Sequence, residues 1–145
     1  MSQKSQNSPE EQVAYFNEVV LGIAPRPIGM MDQDEFDLSM TQLMEEIGEI
    51  HDAREANDMI GLVDGLIDLQ YYLLGIFYKH GITPDLHNQL FSAVHSCNML
   101  KVQGENEKRQ GFNCAADAIK PEGWIDPAQL LARILEANSG KSNRT

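Results

Sequence analysis

The chain has 145 residues, of which 42% are hydrophobic and 23% are charged, and these values are ordinary for one globular domain. Its formal charge of −11 argues against the basic surface that a nucleic acid backbone requires, so we expect no nucleic acid polymer as a partner. The polar first residues do not resemble a signal peptide, and no apolar run approaches the roughly 20 residues that span a bilayer. These features predict a cytoplasmic protein without a membrane partner.

Helical signals follow one another along most of the chain. Ser8, Pro9 and Glu11 form the pattern of a capping box with proline at the first helical position, so the first helix should begin at Pro9. We expect four more helices at about 34–55, 58–80, 84–103 and 127–137, with Thr83 and Pro84 starting the fourth. The pattern therefore predicts an all-α fold, a helical bundle with a four-helix core.

The remaining segments lack periodicity. Residues 104–126 are predicted to form a long loop, and long loops in compact domains tend to be functional. Residues 1–8 and 139–145 are polar and are predicted to be flexible tails. No segment alternates like a strand over a useful length. We therefore expect residues 9–138 to form a single all-α domain.

The stretch LMEEIGEIHDA, residues 43–53, places four acidic residues within eight positions of the second helix, namely Glu45, Glu46, Glu49 and Asp52. Leu43, Ile47 and Ile50 would form the buried stripe of this helix, and Glu46 would lie nearest its edge. Like charges three and four residues apart repel each other. Such a cluster is either a solvated acidic face or a site for a positive ligand.

The third helix favours the second interpretation. It is apolar over nearly its whole circumference, which is typical of an interior helix, yet Asp64 and Asp68 lie four residues apart on one face. A buried ionised carboxylate needs an ion pair or a bound cation. No lysine or arginine lies between Met59 and Tyr78, although Arg54 could reach one of the two acids.

A short turn between the second and third helices would make them antiparallel. Glu46 and Glu49 would then lie opposite Asp64 and Asp68. Four carboxylates without histidine or thiolate are a ligand set for a hard cation, so the pattern predicts bound Mg²⁺ or Mn²⁺.

The segments LMEEIGEI and GLVDGLIDLQYYLLG resemble the all-α nucleoside triphosphate pyrophosphohydrolase superfamily, which includes MazG-like enzymes and phosphoribosyl-ATP pyrophosphohydrolases. Glu46 and Glu49 match the Glu-x-x-Glu pattern of this family. Gly65 stands where the strict pattern has glutamate, and the spacing from Asp64 to Asp68 is similar to a phage and bacterial MazG-like subgroup. The later segments VHSCNMLKV and KPEGWIDP also resemble that subgroup.

The resemblance implies a MazG-like fold and a metal-dependent enzyme. It would cleave a nucleoside or deoxynucleoside triphosphate between the α- and β-phosphates, giving a monophosphate and pyrophosphate. Glu46, Glu49 and Asp68 are implied as metal ligands, with Asp64 as a further ligand, and Glu45 or Glu49 could act as general base. Because the family usually assembles as dimers or tetramers, we expect a homodimer or a homotetramer.

Candidates for substrate binding follow from the chemistry of a triphosphate. Phosphate oxygens that no metal covers need cations, which makes Lys101 and Lys120 the first candidates. Asn98 can donate and accept, and suits a base edge or a sugar hydroxyl. Tyr71 could reach the site with its hydroxyl, and Trp124 could stack on a base or anchor the loop, which we expect to lie over the site.

Two alternatives stay open at this point. One is a phosphoribosyl-ATP pyrophosphohydrolase of histidine biosynthesis, a sister enzyme that nothing in these motifs excludes. The other is a non-catalytic protein whose acidic helices bind a basic partner. That protein would leave Asp64 and Asp68 buried without a cation, and Mg²⁺ should not stabilise it.

Overall fold

The computed structural model describes residues 7–112 and 117–140 and shows a mostly helical chain, as the sequence predicts. Its elements in chain order are α1 (Pro9–Val19), α2 (Gln33–Glu55), α3 (Met59–Lys79), α4 (Pro84–Asn98), β1 (Val102–Gly104), a 3-10 helix (Glu107–Arg109), β2 (Asp117–Ile119) and α5 (Ala128–Ser139). Residues 1–6 and 141–145 of the predicted tails, and 113–116 of the predicted loop, lie outside the described residues. The chain forms two compact units with a boundary inside α4, after His87.

In the first unit, α1 begins where the local sequence predicts. The Ser8 hydroxyl accepts a hydrogen bond from the Glu11 backbone N–H at 3.3 Å, and the Glu11 carboxylate accepts one from the Ser8 N–H at 2.8 Å. Both halves of the capping box are therefore present. The buried face of α1, which includes Val13 and Asn17, packs against α3.

Helices α2 and α3 form an antiparallel pair joined by residues 56–58. The Asp58 carboxylate caps α3 by accepting hydrogen bonds from the N–H groups of Ile60 and Gly61, each at 3.1 Å. A Cβ atom added at Gly65 would lie 2.8 Å from Cγ1 of Ile50, so the helices approach closely at this point. In the resulting register Asp68 lies opposite Glu46.

This close approach predicts opposite effects for two glycine substitutions. Gly48→Ala adds a Cβ with no atom within 4 Å, so it should raise the free energy of unfolding by about 0.5–1 kcal/mol through helix propensity alone. Gly65→Ala gains the same propensity but overpacks Ile50, and it should lower stability by about 1–2 kcal/mol. Urea denaturation measures both signs, and equal stability of the two variants would contradict the close contact.

Helix α3 is long and apolar enough, by length and composition, to cross a membrane, and only 17% of its most apolar window is buried within the chain. No other helix in residues 7–112 and 117–140 meets this test. The core helix of a soluble protein can also meet this test, so the finding is weak evidence that α3 spans a membrane. The absence of a membrane partner stays a prediction.

The second unit differs in detail from the sequence prediction. Helix α4 ends at Asn98, before the expected end near 103, and the chain continues into the antiparallel hairpin β1–β2, in which Val102 pairs with Ile119. The predicted loop 104–126 therefore contains the end of β1, a 3-10 helix and β2. Three-residue strands are too short to show alternation, which explains why the pattern missed them. Ser139, expected in the tail, is the last residue of α5.

Candidate active site

The predicted acidic residues gather around Glu46 where α2 meets α3. Burial raises the pKa of the Glu46 carboxyl, and the negative charges of Glu49, Asp68, Asp64 and Glu45 raise it further, in that order. The Oε2 atom of Glu46 is buried, and no described group donates a hydrogen bond to it. The four other acids that were singled out as ligands or as the base therefore lie near enough to Glu46 to affect its pKa.

Glu46 and Asp68 are half-buried, and neither forms an ion pair with a described side chain. The three ion pairs among the described side chains lie elsewhere and join Arg26 to Glu35, His87 to Glu10, and Arg109 to Asp117. The predicted alternative, an ion pair from Arg54, is not formed with any described carboxylate. A carboxylate with a buried, unpartnered oxygen, such as Oε2 of Glu46, destabilises the fold, so the geometry favours a site that attracts a cation.

The chemistry of this cluster fits a hard divalent cation. All of its donors are carboxylate oxygens, the ligands that Mg²⁺ and Mn²⁺ prefer, and one of them is the unpartnered Oε2 of Glu46. Within the described part of the chain, no group of three Asp, Glu, His or Cys side chains already stands in a metal-binding arrangement. The acids interact electrostatically, and closing a coordination shell would require their side chains to rotate.

The structure explains why Gly65 departs from the strict family pattern. A side chain at this position would start 2.8 Å from Ile50, so glutamate could not be accommodated without moving that residue. The acids that α3 offers in this region are Asp64, which is exposed, and Asp68, which is half-buried. Asp68 also has the stronger influence on Glu46. This geometry favours Asp68 as the principal ligand candidate on α3.

Tyr71 lies close to the acids, one helical turn after Asp68 on α3. Its ring meets Phe16 of α1 edge-to-face, with centroids 5.4 Å apart. Tyr71 also lines a cavity of about 80 Å³ between α1, α2 and α3. Sequence reasoning missed this cavity and the buried Asn17 in its wall, although an asparagine four residues after Val13 on the apolar face of α1 was a usable signal.

Three of the other substrate candidates form a cluster in the second unit. The indole N–H of Trp124 donates a hydrogen bond to the Cys97 carbonyl at 2.8 Å. The Nζ atoms of Lys120 and Lys101 lie 4.4 and 5.3 Å from the centroid of the Trp124 ring, within range of a cation–π attraction. Because the lysines already occupy the surroundings of the ring, the geometry favours the anchoring role of Trp124 over base stacking.

Asn98 ends α4 and is exposed. Its carbonyl accepts a hydrogen bond from the Lys101 N–H at 3.0 Å, which closes the turn that leads to β1. Its side chain makes no hydrogen bond with the residues that the structure describes, so its amide is available to a ligand.

Comparison with known proteins agrees with the predicted superfamily. No curated protein sequence matches the chain significantly. A family model described as phosphoribosyl-ATP pyrophosphohydrolase matches residues 13–98, a range that includes the acidic cluster and ends before Lys101. The match extends over more than half of the 145 residues. The chain therefore belongs to the phosphoribosyl-ATP pyrophosphohydrolase family, within the all-α nucleoside triphosphate pyrophosphohydrolase superfamily.

Proposed function

We propose that this protein hydrolyses the α–β phosphoric anhydride of a nucleotide triphosphate group and that phosphoribosyl-ATP is its substrate. The observation that carries the proposal is the unpartnered Glu46 carboxylate, surrounded by four further acids within the range that matches the family. The description of the family supports phosphoribosyl-ATP more specifically than nucleoside triphosphates in general. The sequence by itself had left this substrate as the alternative.

The acidic residues would have two roles, metal binding and general base catalysis. Glu46, Glu49 and Asp68 would hold Mg²⁺ or Mn²⁺, with Asp64 beside them. Such an ion would neutralise charge on the phosphates and would lower the pKa of an attacking water. Glu45 and Glu49 are both exposed on α2, so either could take the proton of that water as general base. Glu46 is more enclosed than these two, which suits a ligand better than a base.

Asn98, Lys101 and Lys120 stay the residues that the sequence predicts for substrate binding, and they belong to the second unit. Lys101 and Lys120 are the proposed partners of phosphate oxygens, because an ammonium group can donate up to three hydrogen bonds to such anions. Asn98 is the proposed partner of a base edge or sugar hydroxyl.

A second candidate function is hydrolysis of nucleoside or deoxynucleoside triphosphates. The observation in its favour is the cluster of Lys101, Lys120 and Trp124. These residues belong to segments that resemble the MazG-like subgroup, and they lie beyond the range matched by the family model. The two candidates share the same acids and the same bond cleaved, and they differ in the nucleoside recognised.

Pyrophosphate release tests both candidates. Wild type, Asp68→Asn and Asp52→Asn would be assayed with phosphoribosyl-ATP and with a panel of nucleoside and deoxynucleoside triphosphates, with and without Mg²⁺ or Mn²⁺. We expect metal-dependent release that Asp68→Asn lowers by about 100-fold or more. Asp52→Asn is the matched control, since it removes the same charge from α2 outside the group that influences Glu46. No release from any substrate would favour the acidic interaction protein instead.

The predicted homodimer or homotetramer is also part of this proposal, and α3 supports it. Its large apolar side chains are widely exposed in the single chain, with Ile60 84% and Ile67 55% accessible. Exposed apolar surface of this kind marks an interaction site, here with a second copy of the chain. Light scattering in solution should give twice or four times the mass of one chain, and a monomer would contradict the proposal.

A further inference from the structure

Two glycines of α3 allow this helix to lie close to α2. A Cβ added at Gly61 would lie 3.4 Å from the Cβ of Ala53. One turn further along α3, a Cβ added at Gly65 would lie 2.8 Å from Cγ1 of Ile50. Gly65 is buried in this contact, and Ile50 is half-buried. Because the distance between packed helices depends on the side chains at their contact, the missing side chain of Gly65 keeps that distance short.

The contact between Gly65 and Ile50 lies among the acids of the two helices. On α2, Glu46 precedes Ile50 by four residues, which is about one helical turn. On α3, Asp68 follows Gly65 by three residues, which is again about one turn. Because the helices are antiparallel, both steps lead in the same direction, and Glu46 and Asp68 lie opposite each other. The distance between the helices at Gly65 therefore also sets the distance between the backbones that carry these two acids.

The acids that α3 contributes have a short reach. Asp64 and Asp68 are aspartates, so each carboxylate is one methylene closer to its backbone than that of a glutamate. Rotation of a side chain can redirect its carboxylate but cannot lengthen it. An ion that joins an aspartate of α3 to Glu46 therefore requires the two backbones to lie close together, as Gly65 allows.

Ile50 restricts the ways in which an added side chain at Gly65 could be accommodated. Isoleucine is branched at Cβ and has one strongly preferred χ1 rotamer in a helix, so its Cγ1 cannot easily move away. The helices would have to separate instead. A single methyl group at Gly65 should thus widen the space between the acids of α2 and those of α3 while leaving every acid in the chain.

We infer that Gly65 is a positioning residue that makes the acidic site selective for Mg²⁺ over larger divalent cations, because it holds the acids of the two helices at a short distance. This inference rests on the proposed function, which assigns the ion to these acids. Mg²⁺ requires nearly ideal octahedral geometry with oxygen ligands at about 2.0–2.1 Å, whereas Ca²⁺ accepts flexible geometry at about 2.3–2.6 Å. A wider separation of the helices therefore weakens Mg²⁺ binding more than Ca²⁺ binding.

Titration with each metal alone, without nucleotide, tests this role. The apparent Kd of Mg²⁺ and of Ca²⁺ would be taken from the rise of the thermal unfolding midpoint with ion concentration. Wild type should bind Mg²⁺ more tightly than Ca²⁺. Gly65→Ala should weaken Mg²⁺ binding by about tenfold or more and Ca²⁺ binding by about threefold or less. Gly48→Ala is the matched control, because it adds the same methyl group within the acidic stretch of α2 but meets no atom within 4 Å. It should keep both wild-type affinities.

A second variant distinguishes positioning from a general loss of stability. A purely structural role of Gly65 would lower the unfolding midpoint of Gly65→Ala at every ion concentration and would leave the ratio of the two affinities unchanged. Ile50→Ala removes the Cγ1 atom that the new Cβ would meet. The double variant Gly65→Ala/Ile50→Ala should therefore recover the preference for Mg²⁺.

The outcomes separate this inference from the proposed function. An unchanged affinity ratio in Gly65→Ala would overturn the role of Gly65 and uphold the metal site. A wild type that binds Ca²⁺ as tightly as Mg²⁺ would do the same, and this comparison needs no variant. A wild type that neither ion stabilises would overturn the proposed function and the role of Gly65 with it.

Discussion

Glu46→Gln should abolish pyrophosphate release and, at the same time, stabilise the metal-free protein. The substitution keeps the shape of the side chain but removes the charge of a half-buried carboxylate near four other acids. Activity should fall by about 100-fold or more, because a proposed ligand of the catalytic ion is lost. Thermal unfolding in the presence of a chelator should show a higher midpoint for the variant than for the wild type.

The pH dependence of that stability difference has a defined sign. Burial and the neighbouring acids raise the pKa of Glu46 in the folded protein above its ordinary value of 4.5, so the native state holds this proton more tightly than the unfolded chain. The favourable contribution of the protonated group is present below about pH 4.5 and is lost as the pH rises through the folded pKa. The advantage of Glu46→Gln should therefore grow as the pH rises above 4.5, and an advantage that shrinks would contradict the burial of this charge.

Stabilisation by Mg²⁺ distinguishes a specific metal site from a general effect of negative charge. Mg²⁺ at one hundred times its Kd should stabilise the wild type by about 2.7 kcal/mol, as for any ligand that binds only the native state. The same concentration should have little effect on Glu46→Gln. Asp52→Asn, which removes an exposed charge from the same helix, should keep the response. A wild type that gains nothing from Mg²⁺ or Mn²⁺ would argue for the interaction protein.

Gly81→Ala should destabilise the first unit by about 2–4 kcal/mol. Gly81 follows α3 with φ of +78°, in the left-handed region that disfavours side chains. A Cβ there would collide with the Pro27 carbonyl and would lie 2.7 Å from the Arg26 carbonyl oxygen. Backbone atoms cannot move aside as the end of a side chain can, so the collision adds to the strain.

Contacts around Gly81 explain why the connection between α1 and α2 cannot move away from an added Cβ. Arg26 donates two hydrogen bonds to the Glu35 carboxylate, at 2.6 and 3.1 Å, and reaches the Lys79 carbonyl at 3.4 Å. The Gly29 N–H donates to the His80 carbonyl at 3.1 Å. The connection between α1 and α2 is thereby held against the end of α3.

Gly22→Ala is the matched control for Gly81→Ala. Gly22 also has a positive φ, +68°, but a Cβ there would meet no atom within 4 Å. This variant should lose only about 1 kcal/mol of stability, which is the cost of a side chain on a left-handed backbone. Chemical denaturation of both variants measures the difference, and equal losses would contradict the contact between Gly81 and Pro27.

Local signals in the sequence were sufficient to predict the helical fold class and the first residues of several helices. The capping box at Ser8 is present as predicted, and the Thr83 hydroxyl accepts a hydrogen bond from the Leu86 N–H at the start of α4. Such caps involve residues three positions apart, so they can be recognised without knowledge of the tertiary structure. The spacing of the acidic residues on two consecutive helices was likewise sufficient to predict the superfamily, and the family match confirms this prediction.

Packing decided what local patterns could not. Ile47, expected in the buried stripe of α2, is 37% exposed, because periodicity shows which residues share a face and not which faces are covered. The same limit applies to α3, whose apolar circumference predicted an interior helix although Ile60 and Ile67 are exposed in the single chain.

The sequence by itself determined that this protein is helical, that two consecutive helices carry acidic residues three or four positions apart and that it belongs to the pyrophosphohydrolase superfamily, since short-range spacing carries this information. Only the tertiary structure decided that Glu46 is the most enclosed acid of the cluster, that Gly65 leaves no room for a family glutamate and that the buried Oδ1 of Asn17 has no described hydrogen-bond partner. These features depend on the register of α2 against α3 and on the packing of α1. Such contacts join residues far apart in the chain, and local periodicity does not encode them.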